Sequence, residues 1–371
     1  MKPNTLINLS LKKFLNLFLN LLLILNFFFL FSFESCKKNP VSPPINNGAD
    51  TTSHNYAWQT FILGDGNSSI LYDAAIINDT LIYAVGEIYV KDSTGQDYID
   101  FNAAVWNGQK WNLQKIPTEM YGDYIGVFPI TTILALNSGS IYTFSNAGSY
   151  SYWDGVSWIT HFVSERSGGG QKLWGSDMSN IFLVGTNGSL SYYNGTWQRI
   201  DLGTTANIFD VWGTVDNKTG VSTVYVPVSD LNNDNGIKKI FKLKGTQVDS
   251  LQWNTGKNVL SIWGTPDGKT LYAAGDGLFV NKGSGWSEIP FGKDKRFIEV
   301  RGDASNNIFA RGIYLVPPLN ELVVHYNGST WYEYKELSNF INFGLAVQGK
   351  TTIIVGTTGN QAVAVIGKRI D

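Results

Sequence analysis

Beyond residue 36 the chain alternates short β-branched and aromatic runs with turns rich in Gly, Asn and Asp. Nothing in this stretch recurs at 3.6 residues, so the pattern predicts strands and hairpins rather than helices. Three segments align as repeats. Leu173-Trp174-Gly175 leads through a polar turn to Ile181-Phe182-Leu183-Val184-Gly185, then to Tyr193-Asn194-Gly195-Thr196-Trp197. Ile262-Trp263-Gly264 leads to Leu271-Tyr272-Ala273-Ala274-Gly275 and Trp286, and Val300-Arg301-Gly302 leads to Ile308-Phe309-Ala310-Arg311-Gly312 and Tyr326-Asn327-Gly328-Ser329-Thr330-Trp331. A period of roughly 45 residues built from hairpins is the mark of a stacked sheet array.

The last landmark of the unit, an Asn-Gly or Asp-Gly turn followed by Trp, recurs at Trp111, Trp158, Trp197, Trp286 and Trp331. A degenerate copy opens with Val211-Trp212-Gly213, continues through Val224-Tyr225-Val226, and turns at Lys244-Gly245 with Val248 in the Trp place. Asn and Gly supply the positive φ that a tight hairpin needs. After Trp331 come three more strands, near Leu345–Gln348, Thr352–Gly356 and Ala362–Ile366, without a closing Trp, whereas an orphan strand with Trp58, Tyr56–Leu63, precedes the first full unit. A ring of sheets has this layout when the N-terminal strand completes the last blade and leaves no open edge. The expectation is an all-β fold, a seven-bladed β-propeller closed by its N-terminal strand. Its landmarks (Trp-Gly, aromatic-x-Val-Gly, Asn-Gly-x-x-Trp) resemble the repeats of secreted bacterial propeller proteins over about residues 56–370. That resemblance implies fold and export and is nearly silent on function.

The first residues follow another pattern. Lys2, Lys12 and Lys13 precede an apolar run from Phe14 to Phe33, which reads as an export signal. Cys36, the single cysteine of the chain, follows the small residue Ser35. This resembles a bacterial lipobox, which implies cleavage before Cys36 and a diacylated thiol, although Phe33 and Glu34 depart from the usual pattern. The alternative is an uncleaved spanning helix, for which about 20 apolar residues suffice. The expected organisation is a signal peptide (1–35), a lipidated Cys36 with a flexible tether (36–55), and the propeller (56–371). One cysteine also means no disulfide framework. The whole chain carries 28 Lys+Arg against 30 Asp+Glu; without the three Lys and one Glu of residues 1–35 the net charge is −4. Such a chain lacks a basic surface for phosphates, so nucleic acid is not an expected partner.

Several motifs imitate chemistry. Gly344 to Thr351 matches a phosphate-binding loop by letter, but a strand follows it where that motif needs a helix, and Asp267-Gly268-Lys269-Thr270 fills the same turn in another unit. Arg301-Gly302-Asp303 spells an adhesion tripeptide that repeat geometry already explains. The loop from Asp230 to Gly236 is oxygen-rich, yet its Gly is one place late for a calcium loop and its twelfth position is Phe241. His54 falls in the tether, His161 on an outer strand and His325 at the repeat position of Tyr192, with no ligand spacing for zinc. Gly328-Ser329-Thr330-Trp331 ends like an Asp-box, with Tyr326 where the Asp belongs. No catalytic residue, metal or cofactor is expected.

Ligands of propellers meet the inner strands around the channel. Residues two apart on a strand share a face, which pairs Lys172 with Trp174, Asp210 with Trp212, Ser261 with Trp263, and Glu299 with Arg301. The candidate ligand-binding set is Lys172, Trp174, Asp210, Trp212, Trp263, Glu299 and Arg301, with Arg311, which replaces an apolar residue. The competing reading, which we prefer, packs the Trp residues between blades and turns the charges to solvent. The expected function is a non-catalytic binding or scaffold propeller at the bacterial cell envelope, membrane-held through its lipid anchor, with a protein or glycan partner. The alternatives are a lipid-anchored polysaccharide hydrolase or lyase using carboxylates at the channel mouth, and a purely architectural component.

Overall fold

A computed structural model describes residues 51–164, 168–216 and 218–371. The expected signal peptide, Cys36 and residues 37–50 of the tether lie outside the described residues. Seven four-stranded antiparallel sheets form the blades of a β-propeller. Blades 1 to 6 span 66–114, 130–162, 170–199, 212–251, 259–289 and 295–333, each running outward from its first strand. Blade 7 takes three strands from the C-terminus, Ile341–Gln348, Thr351–Thr358 and Gln361–Arg369, and its outermost strand, Tyr56–Leu63, from the other end of the described chain.

Local chemistry explains the hairpins. At the turns before Trp111 and Trp158 the side chains of Asn107 and Asp154 accept the backbone N–H groups two and three residues on. Gly108 and Gly155 then take φ of 90° and 96°, the left-handed region that Cβ-bearing residues resist. The landmark Trp lands opposite an aromatic across the turn, with Trp106–Trp111 and Trp153–Trp158 centroids 5.7 Å apart. It also reaches the preceding blade: Trp197 meets Tyr150, and Trp331 meets Tyr272. These aromatic contacts fill the wedge that widens between blades toward the rim.

Closure is an eight-residue ladder from Tyr56 opposite Arg369 to Leu63 opposite Ala362. The residues just before it are held as well. Thr52 N–H donates to Asn327 O at 3.0 Å, and Tyr334 hydroxyl donates to His54 O at 2.8 Å. His54, read from sequence as tether, therefore docks on blade 6. Its Nδ1 lies 2.9 Å from Nδ1 of the fully buried His325, and its Nε2 lies 2.9 Å from Thr330 Oγ1. One proton arrangement satisfies every partner. Asn307 Nδ2 already donates to Asp303, so its Oδ1 faces His325 Nε2, which must carry the hydrogen. His325 Nδ1 then accepts from His54 Nδ1, and a second proton would set N–H against N–H.

Burial, then the neighbouring His54 and Arg369 charges, lower the His325 pKa to about 3; burial lowers that of His54 as well. The folded pair refuses protons that the unfolded chain accepts below its ordinary 6.5, so this stability is complete above 6.5 and declines toward pH 3. Chemical denaturation between pH 7 and 5.5 should show stability falling as His325 approaches about 1.4 kcal/mol per pH unit. His325→Gln should flatten that slope, and an equal slope in the variant would refute the assignment.

Candidate functional site

One position per blade faces the axis, fixed by its register with the second strand except in blade 4, where it lies two residues before the inner strand Trp212–Val215. In blades 1 to 7 it is Asp73, Thr132, Lys172, Asp210, Ser261, Glu299 and Gly344. Four of these side chains tie a blade to the next one. Asp73 Oδ2 accepts Ile133 N–H at 3.1 Å, Thr132 Oγ1 accepts Leu173 N–H at 3.1 Å, Asp210 Oδ2 accepts Ile262 N–H at 3.0 Å, and Ser261 Oγ accepts Val300 N–H at 3.1 Å. Short acceptors suit that task. Lys172 and Glu299 reach across the axis instead.

The two aspartates have the same surroundings. Oδ1 of each accepts the N–H of its own successor, Ala74 or Val211, while Oδ2 takes the hydroxyl of the next ring residue, Thr132 or Ser261. Each then meets a cation from a distant blade. Lys172 Nζ is 2.7 Å from Asp73 Oδ1, and Arg301 NH1 is 2.9 Å from Asp210 Oδ2. Glu299 joins the halves, lying 3.1 Å from Lys172, 3.2 Å from Arg301 and 2.8 Å from Arg311 Nε. Arg311 donates onward to Asn342 O at 2.9 Å and to Phe343 O, while Gly344 itself packs tightly on the blade 1 backbone, where a Cβ would meet Tyr72 O and Asp73 Cα at 2.8 Å. Three acids meet three bases, and the side chains span the channel from blade 3 to blades 1 and 6 and from blade 6 to blade 4.

Electrostatics follow from this packing. Burial alone would raise the Glu299 pKa, but Lys172, Arg301 and Arg311 overcome it and hold it at about 2. Burial likewise favours neutral Lys172, and Asp73 with Glu299 outweigh it and raise that pKa. Glu321, at the start of the third strand of blade 6, is the acid among the described residues that moves toward neutrality. Burial pushes it up to about 7 against the charge of Arg311, and its Oε2 has no hydrogen-bond partner among those residues.

The candidate residues thus divide. Lys172, Asp210, Glu299, Arg301 and Arg311 converge in one buried network, so the expectation that the charges face solvent is corrected. Trp174, Trp212 and Trp263 stay out of the channel. Each ring lies on the matching glycine of the next blade, Gly213 and Gly264 of Trp-Gly pairs and Gly302 after Arg301, so close that a Cβ there would meet indole carbons at 2.5–3.0 Å. Charges and indoles share strand faces without forming an alternating mouth. Arg301 has no such glycine ahead of it, because blade 7 carries Val347 at the matching register place, and it folds back to Asp210. Asp73 and Thr132 were missed, since blades 1 and 2 lack the Trp-Gly landmark. Asp73 is nonetheless the single charged residue of its strand, Gly66–Asn78, and alignment with Asp210 reveals it. The phosphate-loop match is the hairpin expected from the repeat, with strands Ile341–Gln348 and Thr351–Thr358. The Asp230 loop joins two strands of blade 4, and no group of three metal-ligating side chains occurs among the described residues.

Comparison with known proteins adds to the fold. No family model matches the chain, and no curated protein sequence matches it. Solved structures do match. YCF48 bound to D1 peptide superimposes with a TM-score of 0.59 at 12% identity, covering 89% of this chain and 100% of that one. A catalytically inactive virginiamycin B lyase from Staphylococcus aureus with quinupristin gives 0.58 at 10% identity, covering 84% and 99%. The WD40 propeller domain of Doa1 gives 0.55 at 10%, covering 87% and 98%. At these identities the likeness is one of fold.

Removing one partner of a buried charge network leaves the others uncompensated. Lys172→Met should cost about 3–5 kcal/mol in denaturant unfolding. Arg301→Trp, which restores the residue of the repeat, should also destabilise by about 3 kcal/mol because Asp210 loses its cation. A neutral or stabilising Arg301→Trp would show that the network contributes nothing.

Proposed function

We propose that this protein is a non-catalytic propeller that binds a polypeptide segment at the bacterial cell envelope, where a lipidated Cys36 holds it to the membrane. The observation that carries the binding reading is the neutralised ring. Glycoside hydrolysis needs two carboxyl groups facing an accessible substrate, whereas Asp73, Asp210 and Glu299 are each buried against Lys or Arg. Glu321 has a pKa suited to proton transfer, but it stands without a hydrogen-bonded acid or base. Exposed apolar side chains favour a polypeptide partner. Tyr98, Tyr121, Tyr124, Ile125, Val316 and Phe343 are 37–80% exposed. All lie at the ends where inner strands begin or second strands turn into third strands, which is one face of the ring. The structural neighbour solved with a peptide supports the same choice.

The reading is tested by panning a phage-displayed library of random twelve-residue peptides against the full-length protein in detergent. Enriched peptides should bind in the micromolar range; a library that yields none overturns the reading. Anchoring is tested separately. Cys36→Ser should abolish lipid labelling and move the protein from the membrane to the soluble fraction, and retention in the membrane without label would instead favour an uncleaved helix.

A further inference from the structure

Blade 1 departs from the repeat at one end. The second strands of blades 3 and 5 stop at Gly185 and Gly275. That of blade 1 passes Gly86 and runs to Lys91, and its third strand begins at Tyr98 to pair with the extension. A hairpin that no other blade junction carries among the described residues, Thr118–Met120 with Tyr124–Gly126, follows before blade 2. Beside the extension opens a cavity of about 210 Å³, lined from that side by Glu87, Tyr89, Tyr98, Asp100 and Phe101 and closed by Phe128 of the segment that follows the hairpin.

The cavity is built rather than left over. The buried Asn102 donates to Ile116 O at 2.8 Å and Phe128 O at 3.0 Å and accepts from Ile116 N–H at 2.8 Å, clamping the second wall to the first. Glu87 accepts the hydroxyls of Tyr72 at 2.8 Å and Tyr89 at 3.1 Å, which aim its carboxylate. Burial, then the Glu87 charge, push the Tyr89 pKa up to about 12, so its hydroxyl remains a donor. Asp100 faces Tyr89 across the ladder, and the Tyr89 and Tyr98 rings lie 6.5 Å apart. Every acid of the central ring has a cation. Here, among the described residues, neither Glu87 nor Asp100 has a Lys or Arg nitrogen within 4.0 Å. Lys115, at the wall, lies over the Phe101 ring instead, 5.3 Å from its centroid. Two uncompensated carboxylates among tyrosine rings complement an organic cation with an apolar stem.

Building on the peptide-binding reading, we infer that this cleft receives a Lys or Arg side chain of the partner polypeptide. The cationic head lies between Glu87 and Asp100, and its stem lies against Tyr89 and Tyr98. The neighbouring Tyr124 and Ile125, 60% and 64% exposed, offer apolar ground to the flanking residues.

The probe is the peptide pool enriched from the same twelve-residue library. Its members should share a Lys or Arg at one fixed place. Glu87→Gln, which keeps an acceptor oxygen for one tyrosine hydroxyl and turns an amide N–H donor to the other, and Asp100→Asn, at an exposed position, should each weaken binding about tenfold, or about 1.4 kcal/mol. Salt should weaken the unsubstituted protein more than either variant. Enriched peptides without a basic preference, or with affinity unchanged in both variants, overturn the cleft assignment and leave peptide binding standing. A library that enriches nothing removes both.

Discussion

The ladder between Tyr56–Leu63 and Gln361–Arg369 is the contact on which the rest of the architecture depends. A ring of blades has no hierarchy of packing: each sheet is buried by its two neighbours, and an open ring would expose two flat sheet faces at once. The chain joins these segments across about 300 positions. The loop-closure cost grows only logarithmically with that length, and many buried contacts share it. Tyr56 and Trp58, stacked on each other, meet Phe309 of blade 6 and Tyr334 just after it edge to face, so closure fastens blade 7 to its neighbour as well as to itself. The His54–His325 contact continues the same seam and makes it sensitive to acid.

Once the ring is closed, its axis poses an electrostatic problem. Inner strands converge there, and large apolar side chains at seven equivalent positions would collide, whereas small ones would leave a wet hole. The chain fills the hole with six charges of opposite sign, each saturated by backbone donors or partners. Such a network is expensive to desolvate and stabilises little against a well-packed apolar core. What it does supply is registry. Lys172 reaches Asp73 and Glu299 only when blades 1, 3 and 6 stand at their proper angles, and Arg301 reaches Asp210 only across blade 5. The Trp-on-Gly contacts at Gly213, Gly264 and Gly302 set the local step between blades, and the ion network checks the sum of those steps.

Legibility in the sequence followed the repeats. Asn-Gly turns, Trp landmarks and the orphan strand were readable because each encodes a local backbone requirement or a contact with the adjacent unit. The blade count and the closing strand followed from them. The central network was half visible. Lys172, Asp210, Glu299 and Arg301 stood out beside a Trp-Gly landmark, while Asp73 and Thr132 hid in blades where Ala75 and Leu134 replace the Trp. Their roles depend on distant partners, Thr132 on Asp73 and Leu173 at separations of 59 and 41 residues and Asp73 on Lys172 at 99, and no local pattern encodes that. His54 was misplaced for a similar reason: its partners, His325 and Thr330, lie more than 270 positions downstream.

The same logic separates structure from function across the molecule. Whatever recurs in every blade answers a demand that every blade shares, namely a turn, a step to the next sheet or a place at the axis. The ring position belongs to this group, and the charges that occupy or reach it in some blades are structural too, although they resemble a binding site in sequence, because their partners are one another. A feature of one blade that has no partner in another blade answers no such demand. The extended ladder of blade 1 buries Ile88 but also exposes Tyr98 and Ile99, which a propeller has no need to do. Among the described residues its two acids have no Lys or Arg nitrogen within 4.0 Å, while every ring acid has one. An unpaired carboxylate in solvent costs nothing, but one positioned by two tyrosine hydroxyls and walled by aromatic rings has been oriented toward something outside the chain. On the proposed peptide-binding reading, the departures from the repeat, rather than the charged positions at its axis, are where recognition is to be sought.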